Sequence, residues 1–282
     1  SAASLLGPMI PPSITLIVYA GLTEASVQKL FLATLTPAIL CTVAFLAYTL
    51  WYGKKKNLPK QPKKTAKEAG KIMLDAIWAL LLPVIVLGLI FSGATTVTEA
   101  AAVSCLYSAV VSLFIYKTIT FKDLLKILGD SAVSIAAIMI LVGMSKATAY
   151  VVISSQMPQL FMDFITSITD SRFVVLLIIN VIFLILGCLM EGNCIIVMMV
   201  PLLLTLVKSF GIDLLQFGVM SAINIYIGCI TPPVGVSLLL GCKLGKTSVG
   251  GTFKAILPFF AISMVILILV TYWPSFTLWL IH

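Results

Sequence analysis

The residues able to do chemistry in this chain are few and grouped. Two Pro-Pro pairs, Pro11-Pro12 and Pro232-Pro233, each follow a glycine at the same distance. The stretches are Gly7-Pro8-Met9-Ile10-Pro11-Pro12 and Gly228-Cys229-Ile230-Thr231-Pro232-Pro233. Proline lacks an N–H and clashes with the preceding turn, so two in a row end helical pairing. Carbonyls just upstream then lose their donors. In lipid such groups must face protein, water or a ligand. A carbonyl cluster suits a sodium ion, and the N–H groups that open the next helix suit an anion. Ser13 and Thr231 add hydroxyl oxygens at the two breaks, and the amides of Asn193 and Asn224 can orient carbonyls around an ion. A further polar interruption, Glu191-Gly192-Asn193, separates two apolar runs.

The elements that must position these groups are membrane helices. The 282 residues are 61% hydrophobic and 10% charged, against about 25% charged in a soluble domain. Long apolar runs cover 72–91, 97–116, 173–190 and 256–270. A membrane-crossing helix needs about 20 predominantly apolar residues, so about eight embedded segments fit one membrane domain. The reading is a broken apolar stretch over 1–22, a span over 26–52 and a helix restarting near Thr65. A helical pair follows over 72–93 and 97–116, then an interfacial helix over 121–129, whose Phe121, Leu124, Leu125 and Leu128 share one face. A span over 131–153 and a surface segment over 156–169 come next. Segments 172–190 and 194–207 flank the Glu191 interruption. Residues 214–245 form a helix broken at 229–233, and 253–280 is the last span.

The net charge is +8, and eight of the 18 basic residues lie in 54–71. Basic residues near helix ends stay on the cytoplasmic side, so this stretch is read as a cytoplasmic loop. It is not read as a nucleic-acid site; anionic lipid head groups are the alternative neighbour to plain solvent. Two spans later Lys117, Lys122 and Lys126 are inside again, and residues 156–170 carry no lysine. Lys243, Lys246 and Lys254 fall inside only if 172–190 and 194–207 form a re-entrant hairpin. The six cysteines lie in apolar or Gly-rich segments and read as small packing residues. No nucleophile–base pair, histidine-rich metal site or phosphate loop is present in the sequence, which argues against an enzyme and a cofactor.

The likeness between the two Pro-Pro stretches continues downstream. Ser26-Val27 matches Ser248-Val249, and Phe31, Ala33 and Leu35 match Phe253, Ala255 and Leu257. The charge topology runs the two copies in opposite directions, and inverted repeats with broken helices mark many secondary transporters. The expected fold is therefore an all-α polytopic membrane protein with inverted repeats, a re-entrant helical hairpin and broken helices.

These motifs resemble one family. Ile225-Tyr226-Ile227-Gly228 followed by Thr231-Pro232-Pro233-Val234-Gly235-Val236 is similar to a signature of the large membrane subunit of TRAP transporters, the tripartite ATP-independent periplasmic transporters. Pro11-Pro12-Ser13, Thr98-Glu99-Ala100 and Gly211-Ile212-Asp213 with Gln216-Phe217-Gly218 extend the resemblance over nearly the whole chain. It implies sodium-driven, elevator-type import of an organic acid anion, such as sialic acid or a C4-dicarboxylate, across the bacterial inner membrane. It also implies a periplasmic substrate-binding protein, a small membrane subunit and a first hairpin preceding Ser1. By position, it places one sodium site at Gly7, Ile10, Pro11, Pro12 and Ser13. The second falls at the hairpin tip, Met190, Glu191, Gly192 and Asn193, with Gly228, Thr231, Pro232 and Pro233. Ser13, Asn193, Asn224 and Thr231 are the candidate substrate contacts. The family commonly has an Asp at the tip, where this chain has the longer Glu191.

The expected organisation is 1–53 as the end of the first repeat and 54–71 as the basic loop. Scaffold and arm helices follow over 72–170, the hairpin and broken helix over 171–245, and a C-terminal span over 246–282. A passive channel and a structural subunit are the competing readings. Glu99 is read as a helix cap. Lys146, inside a span, is read as either functional or lipid-facing.

Overall fold

The computed structural model describes residues 2–57 and 65–281; the middle of the basic loop, 58–64, lies outside the described residues. All regular structure among the described residues is helical. After a 3-10 turn at Ala2–Leu5 come α1 (Leu6–Met9), α2 (Ile14–Thr23) and α3 (Val27–Lys55). Next are α4 (Ala66–Phe91), α5 (Val97–Val110) with a π-helical extension at Val111–Ile115, α6 (Phe121–Ser154) and α7 (Met157–Ile168). Then follow α8 (Arg172–Leu189), α9 (Gly192–Ser209), α10 (Leu214–Gly228), α11 (Val236–Gly245), α12 (Val249–Tyr272) and α13 (Pro274–Leu278). Seven helices among the described residues are long and apolar enough to cross a membrane. An eighth span results if Ala2–Met9 and Ile14–Thr23, bent by 43°, count as one. The chain is an all-α polytopic membrane protein.

Two compact units emerge, Ser1–Trp51 with Ile140–His282, and Tyr52–Met139. Residues 140–170 thus fold with the broken helices, although the sequence groups them with 72–139; α7 packs on α9. A second difference is the continuity of α6. The expected boundary between an interfacial helix and a span at 129–131 is absent, because Gly129-Asp130-Ser131 contains no proline. A single glycine costs a helix only about 1 kcal/mol. The last span is interrupted instead, at Trp273, since the residue before Pro274 is driven out of helical geometry.

In the smaller unit the helix starts are capped reciprocally. Thr65 N–H donates to Glu68 at 2.9 Å and Glu68 N–H to the Thr65 hydroxyl at 3.4 Å. The Thr65 backbone and hydroxyl bonds hold the Glu68 carboxyl below its ordinary range. Thr96 and Glu99 repeat the arrangement, with Thr96 N–H 2.7 Å from the carboxylate, so Glu99 is a capping residue. Thr120 and Asp123 do so again.

In the larger unit α10 is the centre. Residues 216–225 are all buried, as expected of a helix apolar on every side. The helices α8, α12 and α2 pack against it, and α2 also lies along α9. Gly218 makes room for Tyr19, whose ring would stand 2.5 Å from an added Cβ. The internal repeat is visible as element order. Each Pro-Pro break leads into a helix of 10 residues, α2 or α11, ended by a left-handed residue, Glu24 or Lys246. A serine then caps the next helix: Ser26 accepts from Lys29 N–H and Ser248 from Gly251 N–H. Both following helices carry an internal proline, Pro37 and Pro258.

Candidate functional site

At the first break α1 ends at Met9 and the chain runs extended through Ile10 to Ser13. Gly7 lies inside α1, one turn before the break. In a continuous helix the nitrogens of Pro11 and Pro12 would face the carbonyls of Gly7 and Pro8. They carry no hydrogen, and no hydrogen bond to either carbonyl is seen among the described residues. Ser13 precedes α2 without capping it, and its hydroxyl, on a residue 2% exposed, has no partner among the described residues. Buried polar atoms are nearly always paired, so this hydroxyl is an open valence.

The second break, residues 229–235, is closed more tightly. The equivalent carbonyls, of Gly228 and Cys229, find new donors: Thr231 N–H at 2.8 Å and Ser237 N–H at 3.1 Å. The Thr231 hydroxyl donates to Ile227 O at 2.7 Å. The expectation that upstream carbonyls lose their partners therefore holds at the first break and not at the second, where a tight turn supplies them. Each carbonyl still has a second lone pair. The peptide bonds Pro11–Pro12 and Pro232–Pro233 are both cis.

The hairpin arm α8 supports this break backbone to backbone. A Cβ on Gly228 would lie 2.6 Å from Gly187, and Gly235 N–H donates to Cys188 O at 3.0 Å. Gly235 itself has φ +44 and passes 2.7 Å, at its Cβ position, from Thr231 O, a place only glycine fits. Met190 leaves α8 in extended geometry, and Glu191 caps α9 by accepting from Asn193 N–H at 3.0 Å and Cys194 N–H at 3.3 Å. Gly192, first in α9, sits against the Ile225 side chain.

Asn193 reaches further. Its amide nitrogen donates to Glu191 at 3.0 Å, and its oxygen accepts from the Thr15 hydroxyl at 3.0 Å. Thr15 also bonds the Tyr226 hydroxyl. The structure thus joins the hairpin tip to α2, just past the first break, and to α10, just before the second. Asn224 is placed differently. Its amide nitrogen donates to Asn180 O and Oδ1 at 2.8 and 2.7 Å, and its own oxygen is buried without a partner among the described residues. Asn180 donates on to Thr271 at 3.1 Å, and the fully buried Gln216 anchors on the carbonyls of Val270 and Thr271 and faces Arg172. This network ties α8, α10 and α12 together. Thr15, Tyr226, Asn180 and Gln216 were not among the sequence candidates; polar side chains inside apolar runs were the available signal. Lys146 is exposed on α6.

Two interrupted helices beside a helical hairpin, in a multi-pass α-helical chain, form a pattern that many secondary transporters share. The particular family follows from comparison. A model of the tripartite ATP-independent periplasmic transporter, DctM component, matches residues 1–276. The chain is 37% identical over 276 residues to the C4-dicarboxylate TRAP transporter large permease protein DctM of Pseudomonas aeruginosa, covering 98% of this chain and 65% of that protein. It is 34% identical over 278 residues to the sialic acid TRAP transporter large permease protein SiaM of Vibrio cholerae, covering 99% and 65%. The 2,3-diketo-L-gulonate TRAP transporter large permease protein YiaN of Escherichia coli is 32% identical over 98% of this chain. This chain belongs to the DctM-component family and is a multi-pass protein of the inner membrane. It spans about two thirds of the length of these relatives.

Proposed function

We propose that the chain carries ion-binding and substrate-binding elements of a sodium-coupled importer of organic acid anions, of the sialic acid or C4-dicarboxylate class. A periplasmic substrate-binding protein hands it the anion, and a small membrane subunit supports it. The two breaks, inverted in the membrane, move with the hairpin as one elevator-like body.

The observation that carries this reading is the first break. Among the described residues the carbonyls of Gly7 and Pro8 have no helical donor and the Ser13 hydroxyl has no partner. Hard cations take oxygen ligands, and unwound backbone at a helix break supplies them to sodium in secondary transporters. The second site draws on Met190, Glu191, Gly192 and Asn193 with Gly228, Thr231, Pro232 and Pro233. The start of α2, which no side chain caps, offers N–H groups to a carboxylate. The anion class rests on the relatives named for carboxylates.

The test is uptake into vesicles holding the full-length subunit and its partners. Uptake is expected to require an inward sodium gradient, to stop when choline replaces sodium, and to need no ATP. Undiminished uptake in choline would end the coupling claim. A thermal-shift screen of the cognate binding protein against organic acids identifies the substrate.

A further inference from the structure

The contacts at the hairpin tip have a definite direction. The Thr15 hydroxyl owns one hydrogen and gives it to Asn193 Oδ1. Tyr226 must therefore donate to Thr15. Asn193 can then turn only its NH2 group toward Glu191, as found. The chain Tyr226 to Thr15 to Asn193 to Glu191 is thus a one-way series ending on a carboxylate. It begins at the half-buried Tyr226, passes through Thr15, which is 0% exposed, and ends on the exposed Glu191. Thr15 stands two residues past Ser13, and Tyr226 two residues before Gly228. Three elements that are remote in sequence meet at the Thr15 hydroxyl.

We propose that Thr15 and Tyr226 are positioning residues that act through Asn193: they hold the hairpin tip in the geometry the second ion site needs and tie it to the helix that leaves the first break. This rests on the sodium-coupled reading above. A reversed Asn193 amide would set its NH2 group against the Thr15 hydroxyl and its oxygen against the Glu191 carboxylate, two acceptors face to face. Loss of either hydroxyl removes the directed bond that fixes the amide from the α2 side, leaving Glu191 alone to orient it. A sodium ion bound at the tip then meets a carboxylate and an amide no longer held in place. The half-saturating sodium concentration rises, and the tip opens more often.

Cys194, next to Asn193 and half-buried, reports on the tip. In full-length protein with the other cysteines replaced by serine, the alkylation rate of Cys194 is measured alongside sodium-dependent uptake. Thr15→Val and Tyr226→Phe are expected to speed alkylation about five- to tenfold, the factor one lost hydrogen bond supplies. They also raise the half-saturating sodium concentration by a similar factor. Thr15→Ser, which keeps the hydroxyl, restores both values. Tyr226→Phe keeps the ring and its packing, so it remains informative if Thr15→Val fails to fold. Unchanged alkylation in both variants, or no rescue by Thr15→Ser, overturns the proposal. Faster alkylation in a protein whose uptake ignores sodium supports the positioning role and refutes the coupling.

Discussion

The two Pro-Pro breaks share a sequence pattern and differ in how their backbone is satisfied. At the second, a seven-residue turn returns donors to the carbonyls that lost them, and α8 lies against it with glycine on glycine. At the first, the extended segment is only residues 10–13, and among the described residues the two matching carbonyls have no donor and a buried hydroxyl has no partner. Two copies of one motif have therefore divided the work. The second break is built for close packing with a hairpin, while the first keeps its polar atoms available.

The largest effect expected from this difference is steric. Gly228→Ala places a Cβ 2.6 Å from the Gly187 backbone, which cannot yield without parting α8 from α10. A cost of about 3 kcal/mol is expected. Gly7→Ala, with nothing within 4 Å of its Cβ position, should change stability by less than about 0.5 kcal/mol. Thermal unfolding of the full-length protein in detergent measures both. Equal losses at the two glycines would erase the asymmetry.

Ser13→Ala comes next and separates a ligand from a packing residue. An unpaired buried hydroxyl costs about 1–3 kcal/mol. Its removal should raise the melting temperature in sodium-free buffer while shrinking the increment that sodium adds. A variant less stable without sodium, with the sodium increment intact, would show that the hydroxyl serves packing.

Thr231→Ala probes the other break, and a smaller loss of about 1 kcal/mol is expected. Ile227 O keeps a second donor, Ile230 N–H at 3.2 Å, so the carbonyl is not abandoned. The loss should appear with and without sodium alike, together with a weaker sodium dependence of uptake. A sodium titration identical to that of the parent protein would remove Thr231 from the second site.

What could be read in advance follows physical range. Apolar length, the Pro-Pro interruptions and the helix start at Thr65 are local chemistry, and each lies where the sequence put it. The continuity of α6 departs from the expected boundary because a polar tripeptide is a weak breaker without proline. The partners of Asn193 were out of reach for another reason. Thr15 lies 178 positions away, and no local pattern says that α2 rests on α9. Asn224 reads as an amide able to orient carbonyls or touch substrate. That its side chain bonds Asn180 follows from α8 running along that side of α10, which no local pattern states.

The smallest prediction tests the repeat beyond its breaks. Ser26 and Ser248 each accept one N–H, from Lys29 at 3.4 Å and Gly251 at 3.3 Å, at the start of α3 and α12. Replacing such a cap by alanine costs about 0.5–1 kcal/mol. If the two copies differ only at their breaks, Ser26→Ala and Ser248→Ala should lower stability by the same small amount, with no change in the sodium increment. At the second cap the residue that donates is a glycine, and an added Cβ there would lie 3.0 Å from the Ser248 hydroxyl. A larger loss at Ser248 would extend the tighter packing of the second copy from its break into α12. A larger loss at Ser26 would reverse the comparison and put the more rigid half at the first break.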